Sequence, residues 1–410
     1  MNAYIQWALS DRNIDTAHPS SQRQASITVQ ALPGRHRPPL NLCLVLDQSG
    51  SMAGDAMETI RAAAKNIVDG LSAQDRLSIV AFDHKARLVV PNQAVLKPLE
   101  LHQAIDGIRS GGGTCIDAGL NLAIEALGSG AKNRVSQIFL LTDGENEHGD
   151  NSRCLQLAKQ AAEYAYTVNT LGFGDYWNQD TLEAIADVGG GHLTYVRNPA
   201  GATAAFERLL EQVKAVGVTN AHLLLNLSPG VALARLKPVA QVLPDVVELP
   251  THQAGQHVRV RLGDLMTNAA RVVLANFYVP QLEVGRWPVM KLRLQYDAPG
   301  LKTYGLQTDW TTVSVDAVSA YAPEPNAAVQ QHILALAKYR QTKIAETRLG
   351  AGDQAGAITM LQSAAKTAIQ LDDKAAITVL QETITSLQRG QPLSPQAQKR
   401  TRLVAKTALR

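Results

Sequence analysis

Hydrophobic and polar residues change rhythm along the chain, and each rhythm predicts a different architecture. Residues 3–9 and 24–32 alternate and are rich in β-formers, so they read as two strands before a breaker-rich linker at Pro33 to Pro39. Two strands do not fold alone and must join a sheet made elsewhere. Leu42 to Leu46 is then continuously apolar, as expected of a strand covered on both faces. From there to about residue 217 the chain alternates strand and helix. Helices are predicted at 55–71, 99–108, 115–127, 152–164, 179–187 and 202–216, and strands at 76–82, 86–90, 135–141, 166–171 and 192–196. Such alternation gives a mainly parallel sheet wrapped by helices, a Rossmann-like doubly wound α/β unit with 86–90 as an antiparallel edge strand beside 76–82.

Beyond Val218 the period drops to two. Residues 221–227, 258–262, 271–279 and 290–296 read as strands separated by Gly, Pro, Asn and Asp, the pattern of an antiparallel β-sandwich. The N-terminal strands are expected to join it, which makes the α/β unit an insertion. From Pro323 the period is helical, with helices predicted at 327–349, 354–370 and 374–387. Ala357, Leu361 and Ala365 follow the Gly352-Asp353 break at i, i+4 and i+8, so this segment reads as a helical hairpin packed on the sandwich or as one unit of a tetratricopeptide-type repeat. The last fifteen residues hold Lys399, Arg400, Arg402, Lys406 and Arg410 and no acid. A solvated, frayed tail is expected there, with a docking helix for an acidic partner or nucleic acid, Leu403, Val404 and Leu409 on one side, as the alternative. The resulting division is 1–38, N-terminal strands; 39–217, the α/β unit; 218–322, the sandwich; 323–390, the C-terminal α-helical region; and 391–410, a basic tail.

Composition narrows the function classes. A chain of 410 residues that is 45% hydrophobic has enough apolar material for several cores. Lys and Arg number 39 against 36 Asp and Glu, so overall charge gives no reason to expect nucleic acid as a partner. No run approaches the roughly 20 apolar residues of a membrane span, and the first residues lack the basic start and apolar core of a secretory leader. Cys43, Cys115 and Cys154 are widely spaced and form no CxxC pair, which argues against a disulfide framework or zinc ribbon and fits a reducing cytoplasm. Cytoplasmic localisation is expected.

The candidate chemistry begins where the first apolar run stops. Asp47, Ser49 and Ser51 follow that strand, Thr114 follows Gly111-Gly112-Gly113 ahead of a helix, and Asp143 follows the strand at 135–141. In a parallel sheet the loops after the strands emerge on one edge, so these side chains converge although almost a hundred residues separate the first from the last. Hydroxyls and carboxylates without nitrogen or sulfur suit a hard divalent cation, Mg2+ or Mn2+. Ser51 has a plainer reading as a helix cap. Glu145, Glu147, His148 and Asp150 form a polar loop beside Asp143, read as a solvated rim that could tune partner choice. His192 and His222 lie in strand patterns and read as structural histidines, and Trp7, Trp177, Trp287 and Trp310 as packing.

Asp47-Gln48-Ser49-Gly50-Ser51, Gly112-Gly113-Thr114 and Thr142-Asp143-Gly144, in that order on those element ends, resemble the metal-ion-dependent adhesion site of von Willebrand factor type A domains of the bacterial intracellular type. The resemblance covers roughly residues 40–217. It implies that Ser49, Ser51 and, in some states, Thr114 ligate the ion directly, while Asp47 and Asp143 act largely through water. It also implies an adaptor or scaffold function in which the metal captures an Asp or Glu of a partner protein, with Gln48, Gly113, Glu145 and Glu147 on the partner-binding rim. An ATPase, kinase or phosphatase encoded nearby is a candidate partner. No GKS/T phosphate loop, HExxH, nucleophile elbow or complete dinucleotide fingerprint is found, so no enzyme is expected. The alternatives are a metal-dependent phosphohydrolase, disfavoured by a hydroxyl-rich ligand set, and a scaffold with a vestigial site.

Overall fold

The computed structural model describes residues 2–34, 37–174, 177–196 and 199–407. Leu409 and Arg410 of the expected tail, and Arg35 and His36 of the linker, lie outside the described residues. The chain opens with β1 (Ala3–Leu9), β2 (Asn13–Asp15) and β3 (Ser20–Ala31). The α/β unit follows as β4 (Leu40–Asp47), α1 (Asp55–Gly70), β5 (Arg76–Phe82), β6 (Ala86–Ala94), α2 (Pro98–Asp106) and α3 (Ile116–Gly128). It continues with β7 (Val135–Thr142), α4 (Asn151–Glu163), β8 (Tyr166–Phe173), α5 (Gln179–Gly189), β9 (Gly190–Val196) and α6 (Pro199–Lys214).

The sheet order of this unit is β6-β5-β4-β7-β8-β9, parallel throughout except for the β5–β6 hairpin at one edge. Every residue of β4 is buried. Leu42, Leu44 and Leu46 pack with Met57, Ile60 and Phe206 under α1 and α6, while Cys43 and Val45 pack with Leu120 and Leu157 under α3 and α4. Each such leucine contributes roughly 2 kcal/mol relative to an exposed one, which is why an unbroken apolar run marks the central strand.

After α6 the chain passes directly into β10 (Val216–Leu227), then β11 (Ala232–Leu233), β12 (Val239–Leu243), β13 (Val247–Glu248), β14 (Thr251–Ala254) and β15 (His257–Met266). β16 (Arg271–Pro280), β17 (Gly285–Ala298), β18 (Thr303–Gln307) and β19 (Thr311–Val318) complete the β region. One sheet runs β1-β3-β16-β12-β13, with β11 on β16, and the other β14-β15-β10-β17-β19-β2, with β18 on β17. Their inner faces share a core of alternating residues such as Ile27, Val29, Leu223, Leu225, Val260, Phe277 and Leu292. The expectation of a wholly antiparallel sandwich needs correction, because β2 pairs with β19 in parallel over three residues. β2 belongs to a short excursion between β1 and β3 that crosses to the other sheet, a connection no local pattern encodes.

α7 (Ala327–Gly350), α8 (Gln354–Gln370) and α9 (Lys374–Gln388) follow. Val329, Leu336 and Tyr339 of α7 cover Ala240, Val242 and Leu274 on the outside of the first sheet, and α8 packs onto the far half of α7 and α9 onto α8, through small residues such as Ala345, Ala357 and Ala376.

The expected solvated basic tail is corrected too. Residues 395–406 form α10 (Pro395–Lys406), N-capped by Ser394 and docked on the molecule itself. Lys399 lies over the Trp177 ring at 4.0 Å, Arg402 pairs with Glu346 at 2.8 Å and also with Asp180, and Lys406 reaches Glu183 at 3.2 Å and Asp187 at 2.6 Å. The acids sit on α5 and α7, so the run of like charge is neutralised by elements more than forty residues away in sequence.

Candidate functional site

The site is built from the ends of β4 and β7 and the loop ahead of α3. Asp47 closes β4 fully buried. Its Oδ1 accepts the Ser49 N–H at 2.8 Å, which bends the chain into the turn leading to α1, and its Oδ2 accepts the Thr142 hydroxyl at 2.5 Å. The Ser49 and Ser51 hydroxyls lie 3.0 Å apart, and Ser51 donates to Asp143 Oδ1 at 2.8 Å. Hydrogen bonds made by the Ser49 backbone and by the Ser49 and Ser51 hydroxyls thus link the carboxyl ends of two adjacent parallel strands.

The glycine loop is stitched to the same edge. The Gly50 N–H donates to Gly112 O at 2.9 Å and the Gly111 N–H to Gln48 O at 2.7 Å. Thr114 is 3% exposed, and a side chain placed at Gly144 would meet its hydroxyl at 3.4 Å, so this oxygen stands next to the end of β7. Gly112 has φ of +83°, and a Cβ there would approach Asp83 to 3.1 Å. Only glycine fits both demands. At Gly113 a Cβ would overlap the His148 ring, so the backbone passes close under that side chain.

Burial dominates the electrostatics. The Asp47 carboxyl is pushed up to about 6, chiefly by burial, against the opposing hydrogen bonds from Thr142 and Ser49. Asp143 is also raised by burial, with Ser51 opposing. Two carboxylates disfavoured as anions and surrounded by hydroxyls form a donor set that fits a hard, doubly charged cation. Among the described residues no three His, Cys, Asp or Glu side chains converge as a metal cluster, so hydroxyls must supply part of any ligand shell.

The rim needs one correction. Gln48 is only 7% exposed, its Nε2 donates to Asp83 Oδ2 at 2.7 Å and its Oε1 accepts from Arg87 at 3.1 Å, so it braces the loop and does not face outward. Gly113 is half-buried, whereas Glu145, Glu147 and His148 are exposed. His192 is held by Asp245 at 3.0 Å and His222 by Asn220 O at 2.9 Å.

Three supporting residues were given no role by the sequence. Thr142 holds Asp47, Asp83 ties Gln48 and receives the Cys115 N–H on its carbonyl at 2.7 Å, and Asn146 Oδ1 accepts the Ile116 N–H at 2.7 Å to start α3. Thr142 stood beside Asp143 in the motif. Asp83 and Asn146 carried no local signal.

The chain is 50% identical over 403 residues to the uncharacterized protein sll0103 of Synechocystis, covering 98% of this chain and 96% of the relative. The von Willebrand factor type A domain matches residues 41–208, and the Sll0103-like C-terminal alpha-helical domain matches residues 327–410. The chain belongs to the von Willebrand factor type A proteins of the sll0103 type. Its domain at 41–208 is of a family that commonly mediates protein–protein interaction. The uncharacterized YfbK of Escherichia coli is 32% identical over 164 residues, 39% of this chain and 28% of that protein, so this second likeness is confined to one part of each. A von Willebrand factor type A structure from Catenulispora acidiphila shares the fold end to end, with a TM-score of 0.84, 16% identity, and coverage of 100% of this chain and 98% of that one. The ArnB paralog VWA2 from Sulfolobus acidocaldarius shares it with a TM-score of 0.60 at 14% identity, covering 99% and 98%. Among the described residues no helix is long and apolar enough to cross a membrane.

Proposed function

We propose that this von Willebrand factor type A protein is a Mg2+-dependent adaptor that captures an acidic residue of a partner protein at the edge formed by β4, β7 and the Thr114 loop. The observation that carries this reading is the hydrogen-bonded set Asp47, Ser49, Ser51 and Asp143, with the Thr114 hydroxyl alongside. Ser49, Ser51 and Thr114 would hold the ion with neutral oxygens, and Asp47 and Asp143 would balance its charge. A bound Mg2+ or Mn2+ supplies an electrophilic position for a carboxylate, which is a directional, charge-assisted contact. Buried Asp47 orients Ser49, and Thr142 and Gln48 keep the loop from relaxing.

The rim refines the partner. Exposed Glu145 and Glu147 beside Asp143 favour an Asp or Glu anchor flanked by basic residues and oppose a purely acidic peptide. The three cysteines are free thiols, in keeping with a reducing compartment, so we place the adaptor in the cytoplasm. We assign it no catalytic turnover.

The test is affinity capture from extracts of the source cells with wild type, Asp47→Ala and Asp143→Ala, in Mg2+ and in chelator, beside calorimetric titration of Mg2+. Capture is expected to need the ion and both aspartates while all three proteins keep their melting temperature. Capture that survives chelation and both substitutions would sink the reading, and an absence of Mg2+ binding would mark the site as vestigial. Turnover of a phosphate ester that vanishes with Asp47→Ala would favour the hydrolase instead.

A further inference from the structure

The opposite edge of the α/β sheet holds a second feature. A cavity of about 800 Å3 lies between the amino end of β9 with the adjoining ends of α4 and α5, and the sandwich, where it meets the outer face of β14, β15 and β10 and the segment around β13. Its volume falls within the range of small-molecule sites.

The sandwich wall is basic by register. Side chains on β15 alternate, so Val258, Val260 and Leu262 enter the sandwich core while Arg259 and Arg261 take the outer face. Arg261 stands opposite His222 of β10, and Arg259 opposite His252 of β14. Lys159 of α4 faces them across the cavity. The acids that line it are largely engaged: Asp187 pairs with Lys406 at 2.6 Å and Glu248 with Arg340 at 2.8 Å. Buried Asp264 offsets Arg271 and part of Arg261. Glu163 then remains against Lys159, Arg259 and the rest of the Arg261 charge. The surplus is felt locally, since burial first and then the charge of Arg259 and Arg261 hold His222 down at about 4. Val188, Val247, Leu249 and Pro250 supply an apolar wall beside these cations.

We propose that this cavity binds a small organic phosphate, its phosphate against Arg259 and Arg261 and its apolar body against Val247, Leu249 and Pro250. Guanidinium donors suit phosphate oxygens in charge and hydrogen bonding; Arg261, whose Nη2 donates to Ala162 O at 3.1 Å, has its remaining N–H groups to offer, and the apolar wall discriminates an esterified phosphate from the free ion. The site is separate from the candidate metal centre, which lies at the carboxyl ends of β4 and β7 and shares no lining residue with it.

The test uses the full chain in chelator, so that no metal at Asp47 can hold phosphate, and phenyl phosphate as probe with phenol and inorganic phosphate as comparison arms. Calorimetry is expected to show saturable binding of phenyl phosphate, about tenfold tighter than either comparison arm, and about tenfold weaker with Arg259→Ala, the loss typical of one charge-assisted contact. Arg259 is exposed, and an unchanged melting temperature of the variant keeps the comparison fair. Arg293→Ala, on the same sheet but stacked on Trp310 at 4.4 Å outside the cavity, is expected to bind as wild type does. No saturable binding of phenyl phosphate, equal binding of phenol, or full binding by Arg259→Ala would each overturn the proposal. Equal binding of inorganic phosphate would overturn the part assigned to the apolar wall.

Discussion

Replacing Lys338 by methionine is expected to release the C-terminal helix from the rest of the molecule. Lys338 lies on α7 with 1% exposure, and its ammonium uses all three protons: on Asp373 Oδ2 at 2.6 Å, on Val404 O at 2.9 Å and on Thr407 O at 3.2 Å. Asp373 in turn caps α9 by accepting the Ala376 N–H at 3.0 Å, and the two carbonyls belong to the end of α10. One cation therefore ties three helices and sits where the α10 dipole favours positive charge. Methionine fills the same groove with little loss of packing but leaves a buried carboxylate and two carbonyls without their donor. Breaking a buried ion pair from one side costs about 3–5 kcal/mol, and we expect about 4 here.

The assay is native-state hydrogen exchange over residues 395–406, which reports the opening free energy of α10 by itself in a chain of several cores. Asp373→Asn keeps the capping oxygen and removes the charge, so the double variant should cost about 2 kcal/mol less than the sum of the single ones. A loss below about 1 kcal/mol for Lys338→Met, or strict additivity, would refute the view of Lys338 as the shared tie.

Three further outcomes follow from named contacts. His222 is held at about 4 against an ordinary 6.5 by burial and by Arg259 and Arg261, with Asp297 opposing. The unfolded chain therefore takes up this proton first as pH falls. Stability present above about 6.5 is lost toward about 4, and between pH 7 and 5 wild type should lose more in melting temperature than His222→Gln. Gly112→Ala places a side chain at φ +83° and 3.1 Å from Asp83 Cβ, so a stability loss of about 1–2 kcal/mol is expected by urea unfolding, together with weaker Mg2+ binding at the displaced Thr114. Burial pushes the Cys43 and Cys154 thiols up to about 12, so neither should react with iodoacetamide at pH 8 until urea unfolds the chain, and modification of the native protein at either, read by peptide mass, would contradict this.

Much of the fold was legible because its elements carry their own periodicity. β4, β5, β7 and β8 are buried on both faces, the first three marked by apolar runs and β8 by its β-rich alternation, and α1 shows a stripe that matches its buried face. Illegible elements lack such a mark for distinct reasons. β12 is buried on both sides because α7 covers its outer face, so Val239, Ala240 and Val242 show no alternation. β2, β11 and β13 are two or three residues long, too short for any period. β19 alternates, with Val313, Val315 and Ala317 buried, but these three apolar positions stand among polar residues and make a weak mark.

The candidate site was legible for a different reason, rooted in topology. Once β4 and β7 are parallel neighbours, Asp47 and Asp143 must emerge on one edge whatever the intervening ninety-odd residues do, so short motifs at strand ends suffice to bring them together. What topology alone leaves open is which neighbours brace the loops. Gln48 lies between two candidate site residues, Asp47 and Ser49, yet it is spent on bracing because Asp83 and Arg87, on the β5–β6 hairpin, offer its amide both a hydrogen-bond acceptor and a donor. α10 follows the same logic at larger scale. Its Lys399, Arg402 and Lys406 read as solvated charge until α5 and α7 present Asp180, Glu183, Asp187 and Glu346 at the matching positions. Strand-end chemistry is thus carried by order along the chain, whereas bracing and docking are carried by pairings between distant faces, and a substitution such as Arg87→Ala should loosen the Asp47 loop although no motif includes it.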